Sequence, residues 1–390
     1  MASRRHQLNL NPLVSDQERE HLFSIDFAYN YLPTDLHLHR APKIKFENPF
    51  SDEIRENRRH SISLFPSSTS LPWHSGLDAA RQNKHWKVNL EYTSQLLHLC
   101  AEDTSLNNSL NANGTMLADF ARKELETSSY ERYSRFTTYM FPEADEVRTA
   151  LLAQAVLLIV IFDDTWEAVG IENIKLIQDD FIKQVQGTNP SATSHTPLQK
   201  RIWEISRDLE RNGGKDIITT LTQFFQHSPP TTDFTDVREY LEYRYEDVAM
   251  PFCYACAKYS LGSDIDISNP KLKKYLHLIG AHVSIANDIG SYEKEYQDFK
   301  DGKVKHLINI VAVVGKINRT DSDAAKAACY ALQLQVEQDI AVELELMERD
   351  DELTFVEWDF IDALLAMAAG NIFTSIVISR YGGEAARIGT

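Results

Sequence analysis

From Leu77 onward apolar residues recur every three or four positions, the period of helices that bury one face. The pattern predicts helices over 78–100, 115–125, 146–168, 171–186, 198–211, 214–227, 235–261, 270–300, 303–315, 322–348 and 355–381. Pro142, followed by Glu143, Asp145 and Glu146, suits the N-terminus of the third. Polar breakers at 187–197 and 228–232 separate later helices. Alternating strand patterns are scarce, and no repeat of fixed period is found. Residues 1–75 read differently: polar and irregular, punctuated by Pro12, Pro33, Pro42, Pro49, Pro66 and Pro72, with Ser67-Ser68-Thr69-Ser70 as a loop. The expected architecture is all-α, one helical domain over 76–390 preceded by an irregular N-terminal arm over 1–75.

Three helical rows change character along their length. Leu151, Ala155, Ile159, Asp163 and Glu167 stand four apart, apolar for three steps and then acidic. Carboxylates at that end of a helix oppose its macrodipole, so a cation is their natural partner. Ile279, Val283, Asn287, Ser291 and Glu295 repeat the design, with three oxygen donors on successive turns. Such a mixed set suits a hard cation that also keeps waters and phosphate oxygens. Phe360, Leu364, Ala368, Ile372, Ile376 and Arg380 end instead on a guanidinium suited to phosphate, before Tyr381 and the glycine stop Gly382-Gly383. Each row also has a plainer reading: a charged helix end, an exposed polar face, a capping arginine.

Between them lies Tyr243-Arg244-Tyr245-Glu246-Asp247-Val248-Ala249-Met250-Pro251. Pro251 has no N–H to offer the Asp247 carbonyl, so the helix is expected to kink and free carbonyls around Asp247 and Val248. A kink that serves packing alone is the plainer alternative.

Composition narrows the classes. A net charge of −17 over 390 residues argues against nucleic acid as a partner, yet leaves room for a polyanion held through divalent metal. No sequence run reaches the roughly 18 apolar residues of a membrane span. The N-terminus lacks the apolar stretch of a secretory signal, and four cysteines make no disulfide framework, so a reducing cytoplasm is the expected compartment. Cys253 and Cys256 form a CxxC without a second pair and are expected in the core.

Taken together, these pieces resemble the class I terpene synthases (terpene cyclases) of the microbial and fungal kind over roughly residues 75–385. Asp163, Asp164 and Glu167 match the family's DDxx(x)D/E motif, with Glu167 where a third aspartate is commoner. Asn287, Asp288, Ser291, Lys294 and Glu295 match NDxxSxxKE completely. Arg244 stands where the family's diphosphate-sensing arginine does, and Arg380-Tyr381 matches the C-terminal Arg-Tyr pair.

The resemblance implies a single-domain helical bundle with a deep apolar central cavity, the class I terpenoid synthase fold, with 76–390 as the catalytic domain. It implies a metal set of Asp163, Asp164, Glu167, Asn287, Ser291 and Glu295 holding Mg²⁺, three ions in all and replaceable by Mn²⁺, with Asp164 inclined to pair with arginine. Arg244, Lys294, Arg380 and Tyr381 are implied to bind the substrate diphosphate. Asp247 is implied to couple the sensor to the helix break, and the Val248 carbonyl to face the forming cation. Phe162, Tyr139, Phe252 and Trp358 are candidate cavity walls, where aromatic faces would stabilise a carbocation. The expected activity is metal-dependent ionisation of a linear prenyl diphosphate, a small molecule of the farnesyl or geranylgeranyl class, followed by cyclisation. Homodimers are common in proteins of this resemblance. A chain-elongating prenyl diphosphate synthase shares bundle and metal chemistry, but carries a second DDxxD where this chain has Asn287 to Glu295. A non-catalytic helical scaffold is the remaining alternative.

Overall fold

The computed structural model describes residues 20–23, 25, 28–33, 36, 41, 43–44, 46, 48–66, 71–103, 117–128, 132–168, 171–187, 196–227, 233–381 and 387–388. For 57, 117, 162, 164–168, 171–177 and 387–388 this covers the backbone alone. The loops expected at 67–70 and 228–232, residues 188–195 of the loop expected at 187–197, and the glycines at 382–383 lie outside the described residues.

Among the described residues the chain forms fourteen α-helices. The first half supplies α1 (Ser51–Asn57), α2 (Trp86–Glu102), α3 (Leu117–Glu126), α4 (Phe136–Met140), α5 (Glu146–Ala168), α6 (Ile171–Val185) and α7 (Pro197–Arg211). The second supplies α8 (Lys215–Phe225), α9 (Val237–Asp247), α10 (Met250–Leu261), α11 (Lys273–Lys300), α12 (Ile310–Asn318), α13 (Ser322–Asp350) and α14 (Phe355–Val377). Boundaries follow local chemistry. Thr196 and Gln199 form a capping box with Pro197 in the first turn of α7. Asp236, Asn309 and Asp321 cap α9, α12 and α13 through their side-chain oxygens.

The centre of the fold is α14. Its sequence is apolar on every side, and it is buried along almost its whole length, packed against α4, α10 and α11. By length and composition α14 could cross a membrane, but 89% of its most apolar window is buried inside the fold. On α11 every residue from His282 to Tyr292 is buried. Gly370 lets α14 approach α4 closely: a Cβ there would lie 2.0 Å from the Tyr139 carbonyl oxygen. All four cysteines are buried and unpaired.

The N-terminal segment is less of an arm than its sequence suggests. Strands β2 (Ser61–Leu64) and β3 (Ala80–Asn83) pair antiparallel across the expected boundary at residue 75. A shorter pair joins β1 (Ala28–Tyr29) to β4 (Arg387–Ile388). Phe23, Ile25, Tyr31 and Leu64 are buried. Arg81 on β3 binds Asp362 on α14 through two bonds of 2.6 and 3.1 Å, and reaches Glu143 at 3.0 Å. Arg58 joins the same cluster at Asp362 and Asp359. Charge pairs rather than apolar periodicity anchor this part of the chain.

Candidate active site

A pocket opens between α4, α5, α8, α9, α10, α11 and the end of α14. On α5 its lining passes from Val156 and Ile159 to Asp163, and on α11 from Val283 to Asn287. Met140, Phe141, Phe224 and Phe252 add apolar wall; Arg244, Arg380 and Tyr381 add polar groups. The two helical rows that turn from apolar to oxygen-bearing therefore face one hollow.

The helix break sits on the same wall. α9 ends at Asp247 and α10 begins at Met250, with Ala249 between them in the left-handed region at φ 59°. A non-glycine residue there costs roughly 1–2 kcal/mol, so packing must hold it. Pro251 lies in the first turn of α10, and Asp247, Val248 and Ala249 all line the cavity.

Arg244 is the hub of the polar end. Its Nε donates to Asp288 Oδ1 at 3.0 Å, Nη2 lies 2.9 Å from the same oxygen and donates to Asn287 Oδ1 at 3.3 Å, and Nη1 donates to Asp247. Burial alone would weaken the guanidinium's hold on its proton; the charge of Asp288, with Tyr240 and Asp247 beside it, outweighs that and raises its pKa. Burial also raises the Asp288 carboxyl, to about 6, with Arg244 pulling it back down. Asp247 is held below its ordinary value: burial opposes, but Arg244 and His227 prevail. Asp288 Oδ2 accepts from the Tyr240 hydroxyl and from the Ile310 N–H, the latter at 2.9 Å.

At the opposite rim, the Arg380 guanidinium lies 5.3 Å over the Tyr133 ring and 5.6 Å over Phe120. Tyr381 meets Tyr133 edge-on, and Asn287 Nδ2 points to the Tyr381 hydroxyl at 3.5 Å. Burial and the neighbouring Tyr381 raise the Tyr133 phenol well above its ordinary pKa, so it stays neutral.

Not every expected residue converges here. Ser291 is fully buried on α11, its Oγ 3.5 Å from the Asp288 carbonyl, and Glu295 receives Asn309 Nδ2 at 2.9 Å. Lys294 reaches Asp298 at 3.5 Å and is not part of the cavity lining. The side chains of Phe162, Asp164 and Glu167 lie outside the described residues; their backbone continues α5. Among the described residues no three His, Cys, Asp or Glu side chains are grouped to hold a metal. Asn287, Ser291 and Glu295 nevertheless offer oxygen donors alone on successive turns of one helix, a chemistry that fits a hard divalent cation.

Three expectations need correction. Tyr139 is no wall residue: it is fully buried, 4.7 Å from the Phe373 ring, its hydroxyl accepting from Arg135 Nη2 at 2.5 Å. Trp358 stacks on Phe46 in the first turn of α14, about 28 Å along the helix from its cavity end. Arg380 is not the next step of the α14 row, because the helix stops at Val377 and Ile378 is extended. The turn after Ile378, rather than helical register, carries Arg380 and Tyr381 to the cavity. Tyr133, Tyr240 and Asn371 belong to the site region without having been singled out; none sits in a spacing pattern that would mark it.

Comparison with known proteins points to the same stretch of the chain. A family model described as "Terpene synthase family 2, C-terminal metal binding" matches residues 154–338, the stretch holding Asp163, Arg244 and the Asn287–Glu295 row. Terpene cyclase 6 of Gibberella fujikuroi is 25% identical over 333 residues, covering 82% of this chain and 85% of that protein. In fold and in this metal-binding stretch the chain resembles the class I terpene synthases. Aristolochene synthase of Aspergillus terreus is 25% identical over 225 residues, covering 54% of this chain and 68% of the relative. The crystal structure of aristolochene synthase from Penicillium roqueforti superposes with a TM-score of 0.59 at 17% identity, covering 75% of this chain and 94% of that one. The described residues are mainly helical, as in those structures, and the matched metal-binding region implies divalent metal use.

Proposed function

We propose that the protein is a Mg²⁺-dependent terpene cyclase acting on a linear prenyl diphosphate of the farnesyl or geranylgeranyl class. The observation that carries this reading is the convergence of Asp163, Arg244, Asn287, Arg380 and Tyr381 on one cavity that Val156, Ile159, Phe224, Phe252 and Val283 also line. Asp163, with Asp164 and Glu167, would hold metal from α5, and Asn287, Ser291 and Glu295 from α11, for three ions in all; Mn²⁺ would substitute. Bound there, the metal supplies charge neutralisation that turns diphosphate into a leaving group without acid.

The chain's own groups do the rest. Arg244, Arg380 and Tyr381 donate hydrogen bonds to the departing diphosphate, and Lys294, which faces Asp298 here, would join them on binding. Asp247 ties Arg244 to the break at Val248–Ala249, so a shift of the guanidinium on binding anion moves the Val248 carbonyl. That carbonyl faces the positive charge left when the allylic C–O bond opens. Val156, Val283, Phe224 and Phe252 exclude water and fold the cation toward ring closure. The asparagine–serine–glutamate row on α11, in place of a second DDxxD, favours cyclisation over chain elongation.

The test is incubation with C10 to C25 prenyl diphosphates, with and without Mg²⁺, followed by mass spectrometry of the extract and assay of released diphosphate. Cyclic hydrocarbon or alcohol formed without isopentenyl diphosphate supports the reading. Longer diphosphates formed only when it is added would mean elongation, and no diphosphate release from any substrate would mean a scaffold. Light scattering of the same sample tests the homodimer expected of the resemblance.

A further inference from the structure

Asn309 opens α12, is fully buried, and lies outside every motif that marks the site. Its Oδ1 accepts the Val311 N–H at 2.9 Å, an ordinary N-cap. Its Nδ2 does something a cap does not require: it donates to the Asp288 carbonyl at 2.8 Å and to Glu295 Oε2 at 2.9 Å. Both amide hydrogens are thus used. The orientation is forced, since a flipped amide would set its oxygen against two acceptors and its nitrogen against an N–H. The next residue, Ile310, gives its own N–H to Asp288 Oδ2 at 2.9 Å. A single step at the start of α12 therefore holds Glu295, at the outer end of the oxygen row, and Asp288, the carboxylate on which Arg244 rests.

We propose that Asn309 is a positioning residue for the metal–diphosphate site. It fixes the Glu295 carboxylate with one oxygen engaged and the other left for a cation, and it locks that carboxylate to the Asp288–Arg244 pair. Cation binding and anion sensing then share one hydrogen-bonded frame. This rests on the function proposed above; what it adds is that α12, which contributes no residue to the cavity lining, sets the metal affinity.

The experiment separates the cap from the bridge. Asn309→Ser keeps a good N-cap oxygen but is too short to reach Glu295. Asn309→Asp keeps cap and length but turns an acceptor toward Glu295. Thermal melts are run with Mg²⁺ titrated in the presence of inorganic diphosphate, alongside steady-state kinetics. The Ser variant should melt within about 4 °C of the unmodified protein. Its Mg²⁺ midpoint for stabilisation should rise about 10- to 100-fold, with kcat falling in step and KM changing less than about threefold. If the Ser variant melts much lower, the same Mg²⁺ comparison is read from the Asp variant. An unmodified protein that responds to Mg²⁺ and diphosphate, beside variants with the same midpoint, overturns this inference alone and leaves Asn309 a helix cap. An unmodified protein that responds to neither overturns the functional reading and this one with it.

Discussion

Arg244 and Asp288 lie on different helices and meet through two nitrogens on one carboxylate oxygen, at 3.0 and 2.9 Å. The other oxygen of Asp288 is filled by the Tyr240 hydroxyl and the Ile310 N–H. Four donors thus face a group able to accept from all of them only as a carboxylate. In Asp288→Asn the amide NH₂ must point at donors whichever way it turns, and Arg244 loses its charge partner on α11. We expect kcat/KM to fall on the order of tenfold to a hundredfold, about 1.4–2.8 kcal/mol in the barrier, with helical content kept. Steady-state kinetics beside circular dichroism checks this; unchanged kcat/KM would show that Arg244 needs no such anchor.

Asp163 and Asn287 face the cavity from α5 and α11. Asp163 is half-buried, and the bonds of the Asn287 amide go to Arg244 and Tyr381 at the hollow rather than to the apolar core. Asp163→Ala and Asn287→Ala should each lower turnover by about 10²–10³-fold or more, the scale of losing a group that stabilises transition-state charge, while melting stays close to that of the unmodified protein. Diphosphate release measured at saturating Mg²⁺ decides it. Normal turnover in either variant would remove the residue from the site.

What the sequence made legible follows from physical range. Asp163, Asn287 and Arg244 could be found because each ends or interrupts a helical period, a signal contained within a few turns. The β2–β3 pair could not: Ser61-Ile62-Ser63-Leu64 alternates over only four residues, and its partner Ala80-Arg81-Gln82-Asn83 carries no apolar alternation. Buried polar contacts hold it instead, such as Asn83 Nδ2 to the carbonyls of Pro142 and Ala144 at 2.9 and 2.8 Å. That is also why α2 begins at Trp86 rather than near residue 78, and Asn309 capping is why α12 starts at Ile310 rather than near 303. Tyr139 and Trp358 stand out in the sequence by aromatic character alone, which does not distinguish a wall from a core. The support of Arg244 by Asp288, Tyr240 and Ile310 spans three helices and leaves no periodic trace.

Gly370 supplies a test of the central packing. A Cβ there would meet the Tyr139 carbonyl oxygen at 2.0 Å and its carbon at 2.6 Å, both backbone atoms that no side-chain rotation can move aside. Gly370→Ala should therefore cost about 3 kcal/mol or more, even though alanine is the better helix former. Urea denaturation measures the loss. A neutral or stabilising result would mean that α14 and α4 can separate more readily than their packing implies.

Glu337 on α13 binds the N-terminal segment from inside the fold. Ser75 Oγ and the Gly76 N–H each donate to it at 2.7 Å, and His282 Nε2 lies 3.0 Å away. Burial alone would raise this carboxyl; the hydrogen bond and charge of His282, with Ser75 and Gly76, outweigh it and hold the pKa below its ordinary value. A folded pKa below the unfolded one means stability that is fully present above the unfolded value, near 4.5, and is lost as pH falls through the folded one. Glu337→Gln should therefore be less stable than the unmodified protein at pH 7, by about 1–3 kcal/mol. That difference should shrink below pH 4.5, because acid neutralises the native carboxylate as the substitution does. Denaturation curves at pH 7, 5 and 3.5 test the sign directly: a gap that widens in acid would mean that Glu337 is already protonated in the folded protein.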